Sequence, residues 1–383
     1  KGRPGPVLVE IPWDVCQEES NISEYVPSYK TKYAPEAESI KAAAVELAAA
    51  DKPVLYAGQG IHYSKAWDEL KEIAELLNIP VTTSLEGKSA FNETHPLSIG
   101  SGGHATPLAV YHFLNDADLI FGIGCSFAIT SFGTRMPDNK KVIHATLDPM
   151  DLNKDVPAAL GLIGDAKLTL RALIDELKTL DLAKAQSRKE STPAAIKKVK
   201  DAWMAQWLPK LTSEQSPMTP YRVIYELNKL VDKQKVVITH DAGSPRDQLV
   251  PFWESEAPLS YIGWGKTTQL GYGLPLAMGA KLARPDHLCI NVWGDAAIGF
   301  TGMDFETAVR ERIPILSILF NNFCMAMELP IMEVSTEKYR STDIGGNYSE
   351  MAKAFGGYGE RITDPDDIVG ALKRGIEATE NGE

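Results

Sequence analysis

The amino-acid sequence predicts an α/β protein made of two parallel-sheet domains, each with helices on both faces. Three observations lead there. From Glu36 onward, helical stretches and short β-favouring runs alternate, the signature of a parallel sheet covered by helices. The runs at 288–293 and 315–320 are short, predominantly apolar and rich in β-favouring residues, as strands buried on both faces are. Between the two alternating regions, residues 181–218 become rich in Lys, Ser, Gln and Pro, the composition of a connection between domains. The expected division is a linker segment at 1–35, a middle α/β domain at 36–180, the connection at 181–218 and a second α/β domain at 219–383.

In chain order, residues 7–11 read as a short strand and are followed by a polar stretch with Pro and Ser. A helix at 36–50 precedes a strand at 53–57, a helix at 65–77 precedes a strand at 80–83, and 119–123 and 142–147 read as two further strands. The run opening at Asp165 closes the middle domain with a helix, and a short amphipathic helix around Trp203 and Trp207 lies in the connection. Gly58 and Gly60 after the first middle-domain strand invite a dinucleotide reading. Tyr63 holds the sixth position of that fingerprint and no acidic residue ends the next strand, so a plain strand-to-helix turn is expected.

With 383 residues, 44% hydrophobic and 23% charged, the chain is globular and long enough for two or three domains. A net charge of −12, with basic residues interspersed among acidic ones, argues against nucleic acid. The four cysteines, Cys16, Cys125, Cys289 and Cys324, lack the spacing of a zinc site or a disulfide framework. No apolar run approaches the roughly 20 residues that cross a bilayer, and no signal-peptide core is visible, so the expected compartment is the cytosol, without a membrane partner.

The stretch 287–324 carries the chemistry. It reads strand, turn, helix, strand. Thr301, with Asp304 three places on, offers an N-cap; Phe305, Ala308, Val309 and Ile313 form an apolar stripe, and Pro314 ends the helix. A right-handed crossover of this length makes the residues just past the two strand ends, Asp295 and Asn322, neighbours where ligands of such sheets bind. A carboxylate and an amide oxygen suit magnesium, which takes few protein ligands and completes its octahedron with phosphates and water. Gly294, Ala296 and Ala297 are small enough for their N–H groups to approach a diphosphate at a helix N-terminus.

Gly294-Asp295-Ala296, followed by Asn321-Asn322 with 27 positions from Asp295 to Asn322, resembles the thiamine-diphosphate signature, with Ala296 where that family usually has glycine. The resemblance implies that Asp295, Asn322 and the backbone carbonyl of Cys324 hold the metal. The block from Gly263 through Leu270, Gly271, Gly273 and Pro275 resembles a second family block. It implies that Leu270 wedges the cofactor into a bent shape while the Thr268 carbonyl accepts from its aminopyrimidine, so that the amino group becomes an intramolecular base; by itself, a lone leucine is as well explained as core. In a third block, His240-Asp-Ala-Gly243-Ser244-Pro-Arg246, Gly243 could give its N–H and Ser244 its hydroxyl to the diphosphate. The usual Gln-His pair is replaced there. Arg246 reads either as a contact to a substrate carboxylate or as a solvated loop arginine.

Together with middle-domain blocks such as 116–124, 143–149 and 164–167, these motifs make almost the whole chain similar to the acetohydroxyacid (acetolactate) synthase large subunit. Some of those enzymes hold FAD beside a charged segment. Here the segment is Ser126-Phe-Ala-Ile-Thr130, and FAD is not expected. His104 matches a family turn, although a capping or surface histidine also explains it. The implied function is thiamine-diphosphate- and Mg2+-dependent lyase or ligase (transferase) chemistry on 2-oxo acids. The alternatives are a simple 2-oxo acid decarboxylase, a diketone or acyloin hydrolase-lyase, and a non-catalytic cofactor-binding subunit. Met325, Met327 and Glu328 are the residues expected to separate the enzymatic alternatives. The resemblance further implies a homo-oligomer, dimer or tetramer, through the cofactor domains. It places the ring-protonating glutamate on an N-terminal pyrimidine domain of a partner chain, so this fragment alone is expected to be inactive.

Overall fold

Two sheets, parallel throughout, organise the computed structural model, which describes residues 2–265 and 267–383, leaving Lys1 and Lys266 outside the described residues. The first contains β1 (Pro53–Ala57), β2 (Val81–Thr83), β3 (Ser98–Ser101), β4 (Leu119–Ile123), β5 (Lys141–Thr146) and β6 (Leu160–Ile163), in the order β3-β2-β1-β4-β5-β6. The second contains β7 (Val236–His240), β8 (Tyr261–Ile262), β9 (Leu288–Gly294) and β10 (Leu316–Phe320), in the order β10-β9-β7-β8. β1, β4 and β7 are buried at every position, which is why β1 and β4 read as continuous apolar runs instead of alternating ones.

Helices cover both sheets. Ala37–Ala49, Trp67–Leu77 and Ala166–Leu177 pack on the first sheet around Leu47, Leu70, Leu170 and Leu173. The last of these starts where Asp165 accepts from the N–H groups of Lys167 and Leu168 at 3.1 and 3.3 Å, an N-cap for donors that have no helical partner. The connection contains a helix of 21 residues, Ser191–Leu211, longer than the short one expected. Trp203 stacks on Phe252 with centroids 5.0 Å apart, and Trp207 packs on Phe252 and Tyr221, which fixes this helix against the second sheet's helices.

Several local expectations are corrected. Residues 7–11 form no strand: Val7, Leu8 and Val9 are 85%, 89% and 76% exposed, with no neighbouring backbone to complete a ladder. The helix expected at 65–77 is present as Trp67–Leu77, and a further short helix, Gly60–Ser64, precedes it and ends where Lys65 turns left-handed at φ 55°. Thr301 does not cap a helix. It ends one, Asp295–Thr301, and its hydroxyl donates to the Gly271 carbonyl at 2.7 Å, while the next helix, Asp304–Arg310, stops before the left-handed Arg312 and so before Pro314. β3, β6, β7 and β8 are additional to the expected strands; the first is Ser-Ile-Gly-Ser, too polar and short to be read as a run.

Gly58 and Gly60 serve the protein's own backbone. A Cβ on Gly58 would lie 2.3 Å from the Gly124 carbonyl oxygen and one on Gly60 2.6 Å from the Gly124 Cα, while the Gly60 N–H donates to that oxygen at 2.8 Å. The turn after β1 is thus pressed onto the turn after β4, and rigid backbone leaves no room for a side chain. Gly58→Ala is expected to lower stability by roughly 2–3 kcal/mol through overpacking, read as a lower midpoint in urea unfolding; an unchanged midpoint would show that the two turns are not in contact.

Candidate active site at the strand ends of the second sheet

β9 and β10 pair in register from Ile290 with Leu316 to Gly294 with Phe320, so the two strands end level. Asp295 and the Asn321-Asn322 pair therefore leave the sheet side by side, at the carboxyl ends where ligands bind in such sheets. Asp295 is 3% exposed. Burial raises its pKa from the usual carboxylate range, and the nearby N–H groups of Phe323, Ala296, Cys324 and Asn322 partly offset that.

One terminal atom of the Asn322 amide lies 2.9 Å from the Cys324 carbonyl oxygen and 3.2 Å from Asp295 Oδ2. If that atom is nitrogen, the three groups close on one another through two hydrogen bonds. With oxygen in that position it accepts a long bond from the Cys324 N–H at 3.3 Å, and three acceptors face each other, an arrangement that a cation between them satisfies. Either way the three oxygen-bearing groups expected to hold a metal converge, and the set, one carboxylate and two neutral carbonyls, fits a hard divalent cation. Phe323, between two of these groups, is held left-handed at φ 60°, an uncommon conformation for a bulky residue and a local strain at the site.

A second buried carboxylate, which the motifs did not single out, shapes the opposite wall. Asp241 follows β7 and has no exposed surface. Its Oδ1 accepts from the N–H groups of Ala242 at 2.8 Å and Gly271 at 2.9 Å, and its Oδ2 from Gly273 at 2.9 Å. Burial raises its pKa, while these three donors pull it back. Gly271 sits at φ 94°, and a Cβ there would meet Phe300 Cβ at 2.8 Å; one on Gly273 would meet the Asn291 side-chain oxygen at 2.5 Å. The glycines are therefore required by the turn that Asp241 ties down. An acidic residue directly after a β-favouring run was the available signal, the same one that marks Asp295.

Leu270, next to this turn, is half-buried and packs against the cluster containing Leu274, Trp293 and Ala297; Thr268 is exposed. Gly243 is left-handed at φ 80°, with only Met327 Cγ near its Cβ position at 3.8 Å, so conformation and not space demands glycine. Ser244 opens the helix Ser244–Leu249. Arg246 is not a solvated loop arginine. It is 1% exposed, donates to Asp247 Oδ1 at 2.8 Å and Oδ2 at 3.1 Å, and lies 4.6 Å over the Phe132 ring. His240 is fully buried, its pKa pushed down to about 4 by desolvation, with Nδ1 3.0 Å from the Asp241 carbonyl oxygen and 3.1 Å from the Tyr272 hydroxyl. His104 is a surface residue, its Nδ1 3.2 Å from the Ser131 carbonyl oxygen. In the Ser126–Thr130 segment, Phe127 stacks on Tyr56 at 5.5 Å and meets His144 edge-on at 4.8 Å.

Among the described residues no helix is long and apolar enough to cross a membrane, and no group of three His, Cys, Asp or Glu side chains could hold a metal. Of the three groups at Asp295, only one is such a side chain, so the second result does not bear on them. Two family patterns match the chain: "Thiamine pyrophosphate enzyme, central domain" over residues 40–173 and "Thiamine pyrophosphate enzyme, C-terminal TPP binding domain" over residues 241–382. The chain is 32% identical to the "Probable acetolactate synthase large subunit" of Methanococcus aeolicus, over 99% of its own length and 66% of that protein's. To the protein of the same name from Methanocaldococcus jannaschii it is 30% identical, with the same coverage. Identity to "Acetolactate synthase isozyme 3 large subunit" of Escherichia coli is 27%, over 99% of the chain and 67% of that protein.

Asp241→Asn, which leaves one buried N–H without an acceptor and sets an amide against it, should cost about 2 kcal/mol. Equilibrium denaturation will read this; stability equal to wild type would remove Asp241 as the anchor of the 271–273 turn.

Proposed function

Since the chain belongs to the thiamine pyrophosphate enzyme family, of which it carries the central and the C-terminal TPP-binding domains, we propose that it is the cofactor-holding part of an acetolactate-synthase-like enzyme acting on 2-oxo acids. The observation that carries this reading is the convergence of Asp295, Asn322 and the Cys324 carbonyl at the ends of two parallel strands. The named relatives support it, although the chain spans only 66% of the length of the first of them. The division into 36–180, 181–218 and 219–383 belongs to this reading too.

In it, Asp295, Asn322 and the Cys324 carbonyl hold Mg2+, and the cation offsets the cost of keeping Asp295 ionised while buried. The N–H groups of Gly294, Ala296, Ala297 and Gly243, with the Ser244 hydroxyl, face the diphosphate. Leu270 sets the bend of the cofactor and the Thr268 carbonyl orients its aminopyrimidine. Thiamine diphosphate, when bound, supplies the nucleophilic carbon and the electron sink that let a 2-oxo acid lose carbon dioxide and pass its acyl carbon to an acceptor. Met327, 40% exposed and close to Gly243, stands with Met325 and Glu328 where an acceptor would enter, and these residues separate carbon–carbon ligation from simple decarboxylation. We assign the ring-protonating glutamate to a partner chain. Phe300, packed by Gly271, and Phe323, between Asn322 and Cys324, are exposed beside the site, and this supports a homo-oligomer that covers it.

Loss of Asp295 removes the only full negative charge among the metal groups, whereas loss of the Asn322 amide removes a neutral oxygen. Asp295→Ala should therefore weaken magnesium-dependent binding of thiamine diphosphate more than Asn322→Ala, measured by titration of the full-length protein with and without Mg2+. Affinities that ignore magnesium and agree across wild type and both variants would defeat the reading. The uncharged 126–130 segment further predicts a protein purified without flavin absorption; a flavin band would show that FAD is held by other residues.

A further inference from the structure

The segment between β2 and β3 reaches from the first sheet to the second. Within it Lys88 and Glu93 are 1% and 4% exposed, with Lys88 Nζ 2.7 and 2.6 Å from the two Glu93 carboxylate oxygens. Glu93 Oε1 also accepts from Ser101 Oγ at 2.7 Å, and Oε2 from the Ser255 N–H at 2.7 Å. The Glu93 N–H donates to the Ser255 carbonyl at 2.9 Å, so two hydrogen bonds tie Glu93 to a residue 162 positions away. Lys88 Nζ lies 5.4 Å over the ring of Tyr261, on β8.

Two residues before Lys88, Glu86 meets the loop that follows β8. A Cβ on Gly265 would lie 2.4 Å from Glu86 Cδ and 2.5 Å from its Oε2. Gly265 precedes Thr268 and Leu270 by three and five residues. The same short segment thus meets the second half of the chain at two points on either side of β8, hydrogen-bonded at Ser255 and packed through the Glu86 carboxylate at Gly265.

A buried ion pair is a poor source of stability, because desolvating both charges costs about as much as their attraction returns, and apolar replacements are often neutral. Its directional bonds do fix relative placement. We propose that the Lys88–Glu93 pair is a positioning device: it locks residues 84–93 onto Ser255 and, through Glu86 against Gly265, holds the 263–271 loop in the shape that receives the aminopyrimidine end of thiamine diphosphate. This rests on reading Thr268 and Leu270 as cofactor-binding. Lys88 and Glu93 themselves touch no substrate.

The test is titration of the full-length protein with thiamine diphosphate in excess Mg2+, followed by tryptophan fluorescence, for wild type, the double variant Lys88→Met with Glu93→Gln, and Gly265→Ala. The double variant removes both charges together and leaves neither buried alone, so its melting temperature should stay near that of wild type while the cofactor dissociation constant rises about tenfold. Gly265→Ala, which leaves the ion pair intact and pushes Glu86 away, should show a rise of similar size. Affinities within about twofold of wild type in both variants would overturn the proposal and reduce the pair to a structural contact. Should the double variant fail to fold, Lys88→Arg, which keeps the buried charge and changes the geometry of the pair, decides by the same criterion. A wild-type protein that does not bind the cofactor would overturn the functional reading and the proposal with it, an outcome distinct from equal binding in all three proteins.

Discussion

Two buried carboxylates collect the backbone N–H groups at the carboxyl ends of β7 and β9, and the shape of the site follows from them. Turns that leave a parallel sheet bring donors and acceptors into a space from which water is excluded, and each must find a partner there. Asp241 resolves this for the 271–273 turn by taking three N–H groups on two oxygens. Those bonds tie the corner at Asp241–Ala242 to the 271–273 turn. Asp295 lies close to the N–H groups of its own helix start and of the 322–324 turn, yet also faces the Asn322 amide and the Cys324 carbonyl. Two carboxylates in equivalent places at adjacent strand ends thus differ in what surrounds them: donors alone at Asp241, donors and acceptors at Asp295. The second environment is the one that gains from a cation.

Much of this was legible in the sequence. Largely apolar runs marked β1, β4 and β9 because a strand buried on both faces has no polar side, and the order strand, helix, strand was enough to bring Asp295 and Asn322 together. What escaped had low local information. β3 is Ser-Ile-Gly-Ser and β8 only two residues, Tyr261–Ile262; both are strands because of the neighbours they pair with. Thr301 looked like a cap by its spacing to Asp304, but its hydroxyl is taken by Gly271, 30 residues earlier, a tertiary bond that no local pattern encodes. Arg246 looked solvated because arginines in loops usually are. Its burial depends on Asp247 beside it and on Phe132 from the other half of the chain. Asp241 was visible as an acidic residue ending a β-favouring run, but its role appears only once the glycine turn is seen to lie within reach.

The glycines divide by the same logic. Gly243 is needed for its left-handed backbone, and Gly58 and Gly60 for the approach of another chain segment. At Gly271 both demands coincide. A sequence motif records that glycine is required and is silent on which demand is at work. The Gly-x-Gly at 58–60 has the look of a nucleotide turn for this reason: close approach of a phosphate and close approach of Gly124 impose the same restriction.

The need for backbone partners also explains why residues 7–11, apolar and β-favouring, stay extended but unpaired. Propensity selects the conformation of a strand, and a neighbouring ladder makes it one. At the other extreme lies the 84–93 segment, with no regular structure, fixed instead by a buried ion pair and two hydrogen bonds to Ser255. Side-chain charge there does what a ladder does elsewhere. Because such a contact contributes little net stability and is strict in geometry, the natural place for it is where the relative placement of two parts matters more than their strength of association, as it does between the first sheet and the loop that carries Thr268 and Leu270.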